Sequence, residues 1–90
     1  MHSVGVIGAG AWGTALAVAV ARAGRQVTLW GRNYADLVEM ASRGENRNYL
    51  PGIRLTPVPR VTGDLIDVIQ NDIVLLVLPA QEIRSLAPLI

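Results

Sequence analysis

The stretch with the clearest chemical meaning is Gly8-Ala9-Gly10-Ala11-Trp12-Gly13. It holds no nucleophile, acid or base, and its chemistry is room for an anion. A short apolar run precedes it. An apolar, Ala-rich run follows without a break. The order is therefore strand, G-x-G-x-x-G, helix, which is the dinucleotide-binding fingerprint. Gly8 is expected to turn the chain sharply out of the strand. Gly10, with no side chain, admits a pyrophosphate to the backbone. Gly13 lets the helix lie close to the sheet. The start of that helix offers unpaired N–H groups and a partial positive charge to phosphate. The N–H groups of Ala11 and Trp12 are expected to face the pyrophosphate, whether or not the Trp12 indole also packs on neighbouring loops.

A second place for chemistry lies about twenty residues past the glycines. There an NAD-preferring fold carries Asp or Glu for the ribose 2′-hydroxyl. Gly31 holds that place here, and Arg32 follows it. Without the carboxylate nothing repels a 2′-phosphate, and a guanidinium pairs with one through two hydrogen bonds. The expected cofactor is NADP or NAD, with NADPH favoured. Trp30 reads as core or rim rather than ligand. Pro79 falls at the carboxyl edge, where ligands of open α/β sheets sit. It either lines the nicotinamide side with Leu78 and Ala80 or simply stops a strand. Asp36, Asp64, Asp67 and Glu82 read as caps and solvated helix charges. All basic residues are Arg, Cys is absent and His2 is the single imidazole. Disulfides, thiolate chemistry and a histidine metal site are excluded on that count. No catalytic residue and no metal ligand is assigned.

Positioning these groups requires a parallel α/β sheet. Ninety residues, half of them apolar, suffice for one small domain. A net charge of +1 with no basic run argues against nucleic acid. No apolar run is long and uninterrupted enough to span a bilayer. No basic leader precedes the first strand, so a cytoplasmic location is expected.

The spacing predicts a strand over 3–7 and a helix from Ala11. Trp12, Ala15, Leu16, Ala19, Val20 and Ala23 form one face of that helix. Ala17, Val18 and Ala21 are apolar too, so burial on more than one side is expected, with Gly24 as C-cap. A strand over 26–30 follows. Next comes a helix capped by Asn33, with Leu37, Val38, Met40 and Ala41 on its apolar side and Gly44 as its stop. Residues 45–59 carry Pro51, Gly52, Pro57 and Pro59 and read as a loop. Tyr49, Leu50, Ile53 and Leu55 suggest that this loop packs. A short strand over 60–62 and a helix from the Asp64 cap to about Gln70 come next. Residues 73–78 read as a fully buried parallel strand. A helix over 81–87 ends at Pro88. The alternation gives a Rossmann-type, doubly wound parallel sheet with right-handed crossovers.

Four segments together resemble the NAD(P)-dependent glycerol-3-phosphate dehydrogenase family. They are the glycine run from Gly8 to Ala17, then Leu29-Trp30-Gly31-Arg32, then Asn46-Arg47-Asn48-Tyr49-Leu50-Pro51-Gly52, then Leu78-Pro79-Ala80-Gln81. The first segment fits many dehydrogenases. The Asn-x-x-Tyr-Leu-Pro segment is far more specific. The resemblance implies reduction of dihydroxyacetone phosphate to sn-glycerol 3-phosphate for phospholipid synthesis, with hydride moving between nicotinamide and the substrate's central carbon. It implies cofactor contacts from Ala11, Trp12, Arg32, Asn33 and Tyr49, with Gly8, Gly10 and Gly13 as the phosphate turn. Ala11 stands where relatives often carry Ser, Thr or Asn, so only its backbone serves. Gln81 receives no role.

The resemblance further implies that residues 1–90 are an incomplete N-terminal NAD(P)-binding domain. The sheet would stop after its fourth strand and the following helix, exposing an apolar edge. The family's substrate-site lysines would lie elsewhere, so this chain alone is expected to be inactive. The expected partners are the dinucleotide, a phosphorylated substrate only with a C-terminal domain, and a second copy in a homodimer at full length. No nucleic acid and no membrane span is expected. Two other readings stay open: another reductase of ketopantoate or hydroxyacyl-CoA type, and a non-catalytic NADPH-binding module.

Overall fold

The computed structural model describes residues 2–47 and 50–78. Strand β1 (Val4–Ile7) is buried along its whole length because it lies between β2 (Val27–Trp30) and β4 (Ile73–Leu76). Side chains alternate across a strand. Val4 and Val6 accordingly enter one core with Val27 and Leu29, while Ile7 and Trp30 enter another. Helices α1 (Ala11–Arg22) and α2 (Tyr34–Arg43) supply Ala17, Val18, Leu37 and Met40 to the first core. The short α3 (Leu65–Ile69) supplies Val68 to the second. The sheet is thus covered on both faces, and the fold is the expected Rossmann-type α/β arrangement.

With β3 (Arg60–Thr62) the strand order is β3-β2-β1-β4, and every pairing is parallel. The chain steps outward from β1 through β2 to β3, then returns to the far side of β1. This reversal is the switch point of a doubly wound sheet. It opens a crevice at the carboxyl ends of the strands flanking it.

Local chemistry sets most boundaries. Asn33 caps α2 by accepting from the Asp36 N–H, and Asp64 caps α3 by accepting from the Ile66 N–H. Gly44 ends α2 in the left-handed region at φ 69°, where a β-carbon is costly. The C-cap of α1 is Ala23, one residue before the expected Gly24. Gly24 takes φ 84° just beyond it. Strands β1 and β2 each begin one residue later than the spacing suggests. The loop after α2 is pinned rather than free. Leu55 is buried in the first core, its N–H donates to the Gly44 carbonyl, and Arg22 Nε donates to the Thr56 carbonyl. Leu50 is half-buried, but Ile53 is exposed, so not every apolar residue of the loop packs.

Two expectations about burial are corrected. The face of α1 that packs is Gly13, Thr14, Ala17 and Val18, whereas Trp12, Ala15, Leu16 and Ala19 face outward. Nearly every position of this helix is apolar, so periodicity could not choose the face. Gly13 chose it, because only a face without a side chain at that point can meet the strand. The second correction concerns β4, read as fully buried. Ile73 and Leu76 are 43% and 45% exposed. Among the described residues β4 is an edge strand with β1 as its single neighbour. Of the outer positions on α2, Val38 is exposed and Ala41 half-buried. The helix expected over 81–87 lies outside the described residues.

Candidate functional site

The site is built where β1 hands over to α1. Gly8 N–H donates to the Trp30 carbonyl at 2.8 Å, and Val77 N–H donates to the Ile7 carbonyl at 2.8 Å. These bonds tie three strand ends to one turn. Gly8 sits at φ 123°, and a β-carbon there would lie 2.3 Å from the Val77 carbonyl oxygen. A β-carbon on Gly13 would lie 1.6 Å from the Gly8 carbonyl oxygen. Both glycines are therefore demanded by the fold.

Gly10 is different. Its backbone, at φ −73° and ψ −167°, suits any residue, and a β-carbon there would meet nothing within 4 Å. Nothing in the protein requires glycine at this point; what a side chain would occupy is open space at the start of α1. Gly10 offers no side chain to cap that helix, and no acidic residue stands in its first turn. The helix's own bonds begin with Thr14 N–H donating to the Gly10 carbonyl. The N–H groups ahead of it have no intrahelical acceptor and carry the positive end of the helix dipole.

A cavity of about 700 Å³ opens at this point. That is within the range of small-molecule sites. Gly8, Gly10 and Ala11 form its floor, and Gly31, Arg32 and Asn33 at the end of β2 form one wall. The inner flank of α2 and the start of the following loop close it, with Val77 and Leu78 at the β4 side. Among its charged residues, Arg43 pairs with Glu39 at 2.9 Å and the Glu45 carboxylate accepts from the Gly52 N–H. Arg32 and Arg47 line the same space.

Six of the sequence-selected residues meet at this cavity: Gly8, Gly10, Ala11, Arg32, Asn33 and Leu78. Gly13 lies beneath it, against the turn. Trp12 does not line it, and with 76% of its surface exposed the residue packs little on neighbouring loops. Tyr49 and Pro79 lie outside the described residues. Trp30 is core, as expected, although its buried indole Nε1 has no hydrogen-bond partner among the described residues. Asp36, read as a cap-region charge, also reaches the cavity wall. The missing acid after β2 has a steric cause. A β-carbon on Gly31 would lie 2.9 Å from the Ala9 β-carbon and 3.3 Å from a Leu37 methyl. Sequence reasoning gave no role to Asn46, which is 6% exposed and donates from its side-chain amide to the Ala9 carbonyl and the Thr14 hydroxyl. A polar residue at a loop start carries no signal of burial.

Comparison with known proteins agrees with this geometry. The family described as NAD-dependent glycerol-3-phosphate dehydrogenase N-terminus matches residues 3–90. This chain belongs to that family. Among glycerol-3-phosphate dehydrogenases [NAD(P)+], it is 52% identical to that of Paramagnetospirillum magneticum over 97% of its length, and 56% identical to that of Afipia carboxidovorans over 93%. Those matches span 32% and 26% of the respective relatives, so the chain covers roughly a third or less of their length. The crystal structure of glycerol-3-phosphate dehydrogenase from Coxiella burnetii superposes with a TM-score of 0.79 at 34% identity, over 99% of this chain and 29% of that one. A glycerol-3-phosphate dehydrogenase N-terminus thus accounts for the whole sheet. Among the described residues of this family member, no helix is long and apolar enough to cross a membrane.

Proposed function

We propose that these residues hold NADP(H) for a glycerol-3-phosphate dehydrogenase that reduces dihydroxyacetone phosphate reversibly to sn-glycerol 3-phosphate. The observation that carries this reading is the open space off Gly10, at an uncapped helix start where the backbone itself has no need of glycine. Gly8, Gly10 and Gly13 form the phosphate turn. The Ala11 and Trp12 N–H groups donate to the diphosphate. Arg32, with Asn33 beside it, takes the 2′-phosphate, and Gly31 keeps a competing carboxylate out. Tyr49 enters as a contact through the family resemblance, and Pro79 through its sequence position after the fourth strand, where ligands of open α/β sheets sit.

The nicotinamide, when bound, supplies hydride to the ketone carbon of the substrate. The work of this chain is to bind and orient: the amides and the dipole of α1 neutralise the diphosphate, and the β4 side of the crevice with Leu78 offers an apolar wall. No Lys occurs in the ninety residues. We assign the ammonium that polarises the ketone oxygen and returns a proton to a substrate domain separate from residues 1–90, which are the N-terminal part of the cofactor domain. We place the enzyme in the cytoplasm, with its product feeding phospholipid synthesis.

Titration of the full-length protein with NADPH and NADH, followed by Trp fluorescence, tests the reading. NADPH is expected to bind at least about tenfold tighter, the worth of one charge-assisted contact. Equal affinities overturn the NADPH preference. Binding of neither nucleotide overturns the reading itself.

A further inference from the structure

The peptide between Ala9 and Gly10 is held from behind by a residue far along the chain. Asn46 Nδ2 donates to the Ala9 carbonyl at 3.1 Å and to Thr14 Oγ1 at 2.9 Å, and the Thr14 hydroxyl donates to the same Ala9 carbonyl at 3.2 Å. Thr14 is fully buried and Asn46 nearly so. A trans peptide points its C=O and its N–H in opposite directions. Fixing the Ala9 carbonyl inward therefore turns the Gly10 N–H outward, on the side where Gly10 borders the cavity. A flipped peptide would present carbonyl lone pairs to an anion at the same spot.

We propose that Asn46 is a positioning residue, whose side-chain amide locks the Ala9–Gly10 peptide so that the Gly10 N–H meets the diphosphate of the dinucleotide. An amide is required because the group must donate twice. Asp in the same shape would set a carboxylate against the Ala9 carbonyl, two acceptors with no proton between them. The lock also joins two segments that sequence alone leaves separate: the glycine turn and the loop opened by Asn46. That loop is closed on the same residue, since Leu50 N–H donates to the Asn46 carbonyl at 2.7 Å.

This inference rests on the dinucleotide reading above, and the test keeps the two apart. In the full-length protein, Asn46→Asp and Thr14→Val are titrated with NADPH and with adenosine 2′-monophosphate, which carries the 2′-phosphate but neither phosphate of the diphosphate bridge. NADPH is expected to weaken about 30-fold in either variant, while the monophosphate holds within about twofold. Thr14→Ser, which keeps the hydroxyl, is expected to retain wild-type binding. Loss of both ligands in proportion would mark a merely structural role and overturn the proposal, as would unchanged NADPH binding. A measurement on the unaltered protein does not depend on any variant folding. The Gly10 amide resonance is expected to shift downfield with NADPH and to stay in place with adenosine 2′-monophosphate. A Gly10 amide indifferent to NADPH overturns the inference while leaving the dinucleotide reading intact, whereas a wild type that binds neither ligand removes both.

Discussion

Among the described residues three helices begin at the carboxyl edge of this sheet, and they begin in two ways. Helices α2 and α3 are closed by side chains: Asn33 accepts from the Asp36 N–H and Asp64 from the Ile66 N–H, with Asp36 and Asp67 adding negative charge in the first turn. Helix α1 has neither a cap bond nor an acid. The first arrangement satisfies the orphan N–H groups from within and stabilises the fold by about 1 kcal/mol per cap. The second leaves those groups for an outside acceptor. On the reading proposed above, the start of α1 beside the cavity is completed by an anionic ligand.

The same contrast exists inside the glycine turn itself, and two substitutions separate its parts. Gly13→Ala drives a methyl into the Gly8 carbonyl and is expected to cost at least about 3 kcal/mol of stability, read as a lowered urea midpoint. Gly10→Ala places its methyl in open space. It is expected to change stability by less than about 1 kcal/mol yet weaken NADPH about 100-fold, or about 2.7 kcal/mol, by calorimetric titration. If the Gly10 variant lost stability rather than binding, the division between a glycine for the fold and a glycine for the ligand would fail.

How much of this was legible in the sequence follows from the same division. The glycine spacing reads directly for two reasons: at Gly8 and Gly13 the backbone leaves no room for a β-carbon, and at Gly10 the fingerprint leaves room for a ligand. The caps at Asn33 and Asp64 read equally well, since each bond spans only two or three residues. The packing face of α1 did not, because Ala and Val stand on all sides and the choice was made by a contact between Gly13 and Gly8. The apolar run of β4 reports what a strand prefers, not which neighbours it has; among the described residues its outer side is the exposed apolar edge that the family resemblance implies. The burial of Asn46 and the crowding around Gly31 were closed to sequence reasoning for another reason: the first bonds to Ala9 and Thr14, and the second is kept small by Ala9 and Leu37. Such long-range contacts leave no local period.

The wall after β2 gives the next smaller effect. Arg32 borders the cavity on the side opposite the apolar residues of β4. Arg32→Ala is expected to weaken NADPH by about 10-fold to 100-fold, the loss of hydrogen bonds to a charged group. NADH, which lacks the 2′-phosphate, is expected to change by less than about twofold when titrated in parallel, on the same arithmetic. An equal loss for both nucleotides would move Arg32 from the 2′-phosphate to a part of the cofactor that both share.

Asn33 sharpens the comparison most finely, because it belongs to both kinds of helix start. Its Oδ1 accepts from the Asp36 N–H, while the residue also stands on the cavity wall. Asn33→Ala removes the cap and is expected to cost about 1 kcal/mol in urea unfolding. Asn33→Asp keeps an acceptor at the cap and is expected to hold the unfolding midpoint. It also sets a carboxylate next to Arg32, where it competes with a 2′-phosphate for the guanidinium, so the NADPH-over-NADH preference is expected to fall. Stability and preference then move in separate variants of one residue. Were Asn33→Asp to leave the nucleotide preference untouched, Asn33 would serve α2 alone, and the 2′-phosphate would be read without it.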